Sequence, residues 1–106
     1  MVRRGEIWLA TLDPTVGAEI RKTRPALVVS PDDLNATLPL ITVAPLTSGS
    51  RAARFRVPVH FNGMDGLILA EQVRSVDRRR LVKQLGSVDA ATLDQTLAVL
   101  QAIFAP

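Results

Sequence analysis

The sequence predicts a mainly β domain, a small antiparallel barrel with one helix packed on it at the C-terminal end. Three observations predict it. Short segments of strand character recur from residue 5 to residue 85, with turn-forming residues between them. The clear helical pattern comes last, where Leu93, Leu97, Leu100 and Phe104 recur at helical spacing. The chain has 106 residues, 47% of them apolar, which suits one domain around one core and excludes a disordered chain.

The elements follow in order. Gly5 to Leu12 reads as the first strand, with Ile7, Leu9 and Thr11 on one face and Trp8, Ala10 and Leu12 on the other. Asp13-Pro14-Thr15 then turns the chain, because proline is preset for a turn position. A charged loop leads into Ala26 to Ser30, the continuous apolar run of a central strand buried on both faces. Pro31-Asp32-Asp33 stops that strand. Leu40 to Leu46 is the third, and Pro45, which cannot donate to a ladder, is expected to end it, bulge it or place it at an edge. Thr47 to Arg54 is a polar loop, and Phe55 to Phe61 a short strand. Asn62-Gly63 and Asp65-Gly66 both read as turns. Leu67 to Val76 is a strand that carries Glu71, Gln72 and Arg74, polar groups that need partners or face a site. Arg78-Arg79-Arg80 is a helical turn or bend, and Leu81 to Leu85 a short strand ending at Gly86. Asp89 is the N-cap of the final helix.

Composition narrows the chemistry. The net charge is +3, enough to favour an anionic partner and too little to define one. Lys22 and Lys83 are the lysines; every other cationic side chain is arginine. Cysteine is absent and His60 is the single histidine. A thiolate nucleophile, a disulfide framework, a histidine pair and a multi-histidine zinc site are therefore excluded within one chain. No apolar run reaches membrane-spanning length and no signal-like segment follows Met1, so the cytoplasm is the expected compartment.

The segment from Gly17 to Arg24 holds the main candidates. Long charged loops in compact domains are usually functional, and the arginine fork matches phosphate oxygens. The plain alternative is a solvated turn in which Arg24 pairs with Glu19 or Glu71. Thr47 alone reads equally as a loop hydroxyl bonded to its own backbone. Gln72 and Arg74 either satisfy buried backbone or line a dimer contact, or else contact a ligand. His60 reads as a surface or structural residue, Trp8 as core or interface, Arg78-Arg79-Arg80 as a solvated charge run, and the stripe from Leu93 to Phe104 as core.

In order and spacing, several segments resemble the MazF/PemK family of toxin endoribonucleases from bacterial toxin–antitoxin systems. They are Arg4-Gly5-Glu6-Ile7-Trp8, Asp13-Pro14 with Gly17-Ala18-Glu19, and Thr23-Arg24-Pro25-Ala26-Leu27-Val28-Val29-Ser30-Pro31. Val43-Ala44-Pro45-Leu46-Thr47 and Leu69-Ala70-Glu71-Gln72-Val73-Arg74-Ser75-Val76-Asp77 complete the match over essentially the whole length. The resemblance implies an SH3-like barrel with a C-terminal helix, a homodimer, and metal-independent cleavage of single-stranded RNA with no cofactor. It places the catalytic arginine on Arg24, the catalytic hydroxyl on Thr47, the loop glutamate on Glu19 and an RNA-contacting glutamine on Gln72. The loop departs from the family pattern at Ala18 and Ile20 and through Arg21-Lys22-Thr23, which points to a different target sequence.

Metal-free cleavage most simply uses the substrate's 2′-hydroxyl as nucleophile. Arg24 suits the phosphorane, and Thr47 a phosphate oxygen or the leaving oxygen. The general base stays open between Arg24 and Glu19. Arg21, Lys22, Arg51 and Arg54, with Gln72 and Arg74, are the expected RNA contacts. A cognate antitoxin is expected to lay an acidic, disordered segment along the same groove. Two other functions compete: a gyrase-inhibiting barrel of the CcdB type, which needs no Arg24–Thr47 pair, and a non-catalytic nucleic-acid-binding barrel. Against the second stands an aromatic content of 4% with no Tyr, since sequence-tolerant single-strand binders stack bases on aromatic rings.

Overall fold

A computed structural model describes residues 1–12, 17 and 22–106. The strands β1 (Glu6–Thr11), β2 (Thr23–Val28), β3 (Leu40–Thr47), β4 (Arg56–Phe61), β5 (Met64–Leu69), β6 (Arg74–Asp77) and β7 (Leu81–Ser87) are joined by a short helix α1 (Asp32–Thr37) and end in α2 (Ala90–Phe104). They form one antiparallel sheet in the order β4-β5-β3-β2-β1-β7, with β6 also on β3. The sheet curls until its two ends approach: a Cβ at Gly86 in β7 would lie 3.0 Å from Cε1 of Phe61 at the end of β4. This is the small barrel with a C-terminal helix that the sequence predicts.

The apolar run of β2, from Ala26 onward, is buried on both faces, as expected. Ala26 and Val28 join Val2, Ala10, Leu12, Ile41 and Val43 in one core cluster. Leu27 and Val29 join Ile7, Ala44, Leu46, Val57 and Ile68 in the other, which Leu97, Val99 and Leu100 of α2 cover. Fully burying a large aliphatic side chain contributes about 1.5–3 kcal/mol, so this strand and its neighbours carry much of the stability. Asp89 caps α2 by accepting from Thr92 N at 2.7 Å. That bond holds its carboxyl below the ordinary carboxylate range.

Several expectations are corrected. Pro45 neither ends β3 nor sits at an outer edge. It falls between the stretch paired with β6, which runs to Val43, and the stretch paired with β5, which starts at Leu46. The missing donor costs little in that gap. Asp65-Gly66 is not a turn: Asn62 and Gly63, at φ of 52° and 74°, make the hairpin alone, and Asp65 and Gly66 pair with His60 and Val59. The expected strand from Leu67 to Val76 is broken by a 3₁₀ turn, Ala70–Gln72, which moves Glu71 and Gln72 out of the ladder. Pro31-Asp32-Asp33 stops β2 and also starts α1, because carboxylates suit a helix first turn.

The arginine run is not merely solvated. Arg78 donates from Nη2 to the carbonyls of Asn35 and Leu38, and Arg80 donates to the Thr11 carbonyl at 3.1 Å. Arg79 bridges to Asp77 at 2.9 Å. The Arg79 side-chain bond holds the Asp77 carboxyl down to about 2. The helix stripe is core only in part: Phe104 is 73% exposed, while the fully buried residue of α2 is Thr96, whose hydroxyl donates to the Thr92 carbonyl.

α1 is held by a buried polar cluster. Asn35 is fully buried. Its Nδ2 donates to the Ser30 carbonyl at 2.8 Å, its Oδ1 accepts from Ser30 Oγ, and that hydroxyl accepts from Thr42 N at 3.0 Å. Leaving one buried polar group unsatisfied costs about 1–3 kcal/mol. Asn35→Ala should therefore lower the thermal midpoint by several degrees, and Asn35→Asp, which sets a carboxylate against the Ser30 carbonyl, by more. Unchanged melting in both variants would rule out this cluster as the anchor of α1.

Candidate active site

The site begins with strand register. β2 and β3 pair Val28 with Val43, Leu27 with Ala44, and Ala26 with Pro45. Arg24 of β2 and Thr47 of β3 lie two residues beyond the end of that ladder. Both side chains line one pocket of about 200 Å³. Arg24 lies on β2 opposite Ala10 of β1, and its side chain is exposed to solvent. Thr47 is the last residue of β3 and pairs with Leu67. Its Oγ1 accepts from Gly49 N at 3.2 Å. The bond to its own backbone is thus present, and the hydroxyl proton remains available for donation.

Gly66 makes this arrangement possible. A Cβ there would stand 2.9 Å from the Thr47 carbonyl oxygen, so β5 can lie against the end of β3 only without a side chain at this position. The rest of the pocket is largely apolar: Pro25, Leu46, Val59, Phe61, Met64 and Leu85. Ser48, Asn62 and Asp65 add polar groups.

The other predicted residues are distributed differently. Glu19 and Arg21 lie outside the described residues. Lys22 is exposed with φ of 68°, and its carbonyl accepts from Leu12 N at 3.0 Å, which draws together the two ends of the charged loop. Arg74 donates to the Leu12 carbonyl at 3.2 Å, the backbone-satisfying role weighed above. With Arg80 on Thr11, it fixes the point where that loop leaves β1. Gln72 is half-buried in the 3₁₀ turn, and Arg51 and Arg54 are exposed on the loop before β4. None of these five, Lys22, Arg51, Arg54, Gln72 and Arg74, lines the pocket. Glu71 is taken by Arg56, which donates to its Oε2 from Nε at 3.0 Å and Nη2 at 2.7 Å. Among the described residues, no group of three or more His, Cys, Asp or Glu stands close enough to hold a metal ion. No helix among them is long and apolar enough to cross a membrane.

Sequence reasoning missed the hairpin wall formed by Phe61, Asn62, Met64 and Asp65. Asn62-Gly63 marked the hairpin, and its two-residue turn implies the pairing of His60 with Asp65. Reading Asp65-Gly66 as a second turn hid it.

Residues 3–104 match the model of the PemK-like, MazF-like toxin of type II toxin–antitoxin systems. Endoribonuclease MazF9 of Mycobacterium tuberculosis is 42% identical over 105 residues, covering 90% of this chain and 89% of that protein. The crystal structure of MazF from Deinococcus radiodurans superposes with a TM-score of 0.86 at 31% identity, covering 96% of this chain and 94% of that one. The crystal structure of MazE-MazF from the same organism gives 0.80 at 27% identity, over 98% and 95% of the two chains.

The close approach at Gly66 is open to test. Gly66→Ala forces backbone to move, since the obstructing atom is a carbonyl oxygen, and overpacking of this kind costs about 1–3 kcal/mol. Urea unfolding should show a lower midpoint with an unchanged slope. Native stability in the variant would mean that β5 does not press on Thr47 in this way.

Proposed function

The chain belongs to the PemK-like, MazF-like toxins of type II toxin–antitoxin systems, and we propose that its Arg24–Thr47 pocket cuts single-stranded RNA without a metal ion. Its class of activity is that of its relatives, an RNA-cleaving endoribonuclease. The gyrase-inhibiting alternative is not favoured by this family membership. The observation that carries the catalytic reading is the meeting of Arg24 and Thr47, from two strands, in one pocket.

The chemistry follows from the groups present. The substrate's 2′-hydroxyl attacks the adjacent phosphorus, forming a dianionic phosphorane and expelling the 5′-oxygen. Arg24 is charged at any relevant pH and donates through a fork, so it stabilises the phosphorane oxygens. Thr47 donates its hydroxyl proton to a phosphate oxygen or to the leaving oxygen. The proton of the 2′-hydroxyl goes to the carboxylate of Glu19, because Arg24, charged throughout, has no lone pair with which to accept it and keeps to the phosphorane. The exposed cations Lys22, Arg51 and Arg54 attract the RNA backbone outside the pocket, and Gln72 is a further RNA contact, whereas Arg74 is committed to the Leu12 carbonyl.

The partners follow from the same reading. An antitoxin with an acidic, initially disordered segment occupies the RNA groove, by charge mimicry of the RNA backbone. A second copy of the chain covers exposed apolar side chains such as Leu34, Leu38, Leu40 and Val82, which are 43–61% exposed. The compartment is the cytoplasm, where the RNA target is.

The protein should cut RNA in excess EDTA and leave a 2′,3′-cyclic phosphate. Arg24→Ala should lose on the order of 10² to 10³ in rate while melting like the native protein, because the side chain is exposed. Arg24→Lys should fail badly as well, since lysine lacks the fork. A strict requirement for added Mg²⁺ would overturn the metal-free mechanism, and near-native cutting by folded Arg24→Ala would overturn the site.

Sedimentation should report a dimer at micromolar concentration. A monomer alone would refute the second copy.

A further inference from the structure

We propose that Arg56 is a positioning residue for RNA binding: it ties the loop that follows Thr47 to the 3₁₀ turn that carries Gln72, and so holds two RNA-contacting segments at one spacing. The inference rests on the reading of Arg24 and Thr47 as the site of cleavage. It adds a residue to which that chemistry gives no role.

The place of Arg56 follows from register. Across β5, Thr47 pairs with Leu67 and Arg56 with Leu69. Residues two apart on a strand share a face, and so do residues paired across a ladder. Thr47 and Arg56 therefore flank β5 on one face of the sheet. The loop of residues 48–55 connects them, and the turn Ala70–Gln72 continues directly from β5. Both segments lie outside the ladder, so side chains have to fix them.

Arg56 supplies the bonds. Its Nε and Nη2 donate to Glu71 Oε2 at 3.0 and 2.7 Å. Its Nη1 donates to the Arg51 carbonyl at 2.9 Å. The guanidinium also lies 5.6 Å from the centre of the Phe55 ring, within cation–π range. A guanidinium offers five donors in a planar fork, and nitrogens of this one reach two separate segments. Exposed ion pairs contribute little and are screened by salt. Here the two side chains are only 21% and 28% exposed, which shields the pair and keeps its geometry.

The clamp bears on the RNA surface. Arg51 and Arg54 are exposed on the clamped loop, and Gln72 sits on the clamped turn. Arg56 turns its donors to protein and leaves the RNA contacts to these three. It also neutralises Glu71, whose free carboxylate would repel a phosphate backbone. Thr47 is held independently, by its pairing with Leu67 and the close approach of Gly66. Loss of the clamp should therefore loosen RNA binding and spare the chemical step.

The test compares the native protein with Arg56→Ala, Arg56→Lys, Glu71→Ala and the double variant Arg56→Ala/Glu71→Ala, each checked by its melting curve. Cleavage is measured in EDTA on an oligoribonucleotide that spans a cut mapped on a long RNA. Binding is measured on the 2′-O-methyl form of that oligonucleotide, which cannot be cut. Arg56→Ala should raise KM and the oligonucleotide Kd about 10-fold while kcat stays within about 3-fold. Arg56→Lys should do nearly the same, since lysine keeps the charge and lacks the fork; it carries the test if the alanine variant does not fold. The double variant should bind no more weakly than Arg56→Ala, because both side chains serve one clamp. Its binding should keep the native dependence on salt, whereas loss of a direct phosphate contact would make the slope shallower by about 0.7. Native KM and affinity with only a lowered melting point, a loss in kcat alone, additive losses in the double variant, or a shallower salt slope would each overturn the positioning role and leave the cleavage reading intact. Absence of any cutting by the native protein would overturn that reading and this inference with it.

Discussion

The pairing of β2 with β3 is the constraint on which the rest depends. Both strands are buried where they meet: Ala26, Leu27, Val28, Val43 and Ala44 are fully inaccessible. In such a ladder a slip of one residue would turn every side chain to the opposite face. Here each face belongs to a different core cluster, so a slipped register would disrupt two cores at once. The relative position of Arg24 and Thr47 is therefore set by aliphatic packing further along the same strands. The geometry of the proposed catalytic pair thus rests on hydrophobic burial.

The arginines divide by task. Arg74, Arg78 and Arg80 donate to backbone carbonyls, and Arg56 and Arg79 pair with carboxylates. In a small curled sheet many strand ends and turns leave carbonyls without ladder partners, and a long side chain with several donors satisfies them. The charge of +3 is consequently a poor measure of the field at the pocket, because much of the positive charge is committed to holding the frame.

Much of the fold was legible in the sequence because its signals were local. Alternation in β1, the unbroken apolar run of β2 and the Asp89 cap each needed only neighbouring residues. What failed depended on partners. Pro45 is tolerated because β3 changes partner there, and nothing near Pro45 in sequence announces that change. The 3₁₀ turn at Ala70–Gln72 interrupts a segment whose composition reads as strand. The strand pairing that brings Arg24 to Thr47 cannot be read from composition either. Arg24 stood out through its charged loop and Thr47 through the family resemblance, whereas Phe61 and Asp65 came only from the folded hairpin. Glu19 and Arg21 lie where the structure is silent.

The pocket draws its parts from two unlike regions of the sheet. Arg24 and Thr47 stand at the ends of strands locked in the interior, whereas Asn62, Met64 and Asp65 belong to an outer hairpin with exposed side chains. Substitutions in the interior strands disturb both cores, and substitutions at the hairpin tip disturb little. Mutational drift is therefore channelled: the strand register that positions Arg24 and Thr47 is protected by the stability of the fold, and the exposed tip of the hairpin is free to vary. The rim of the pocket can therefore change one exposed residue at a time while both cores stay intact.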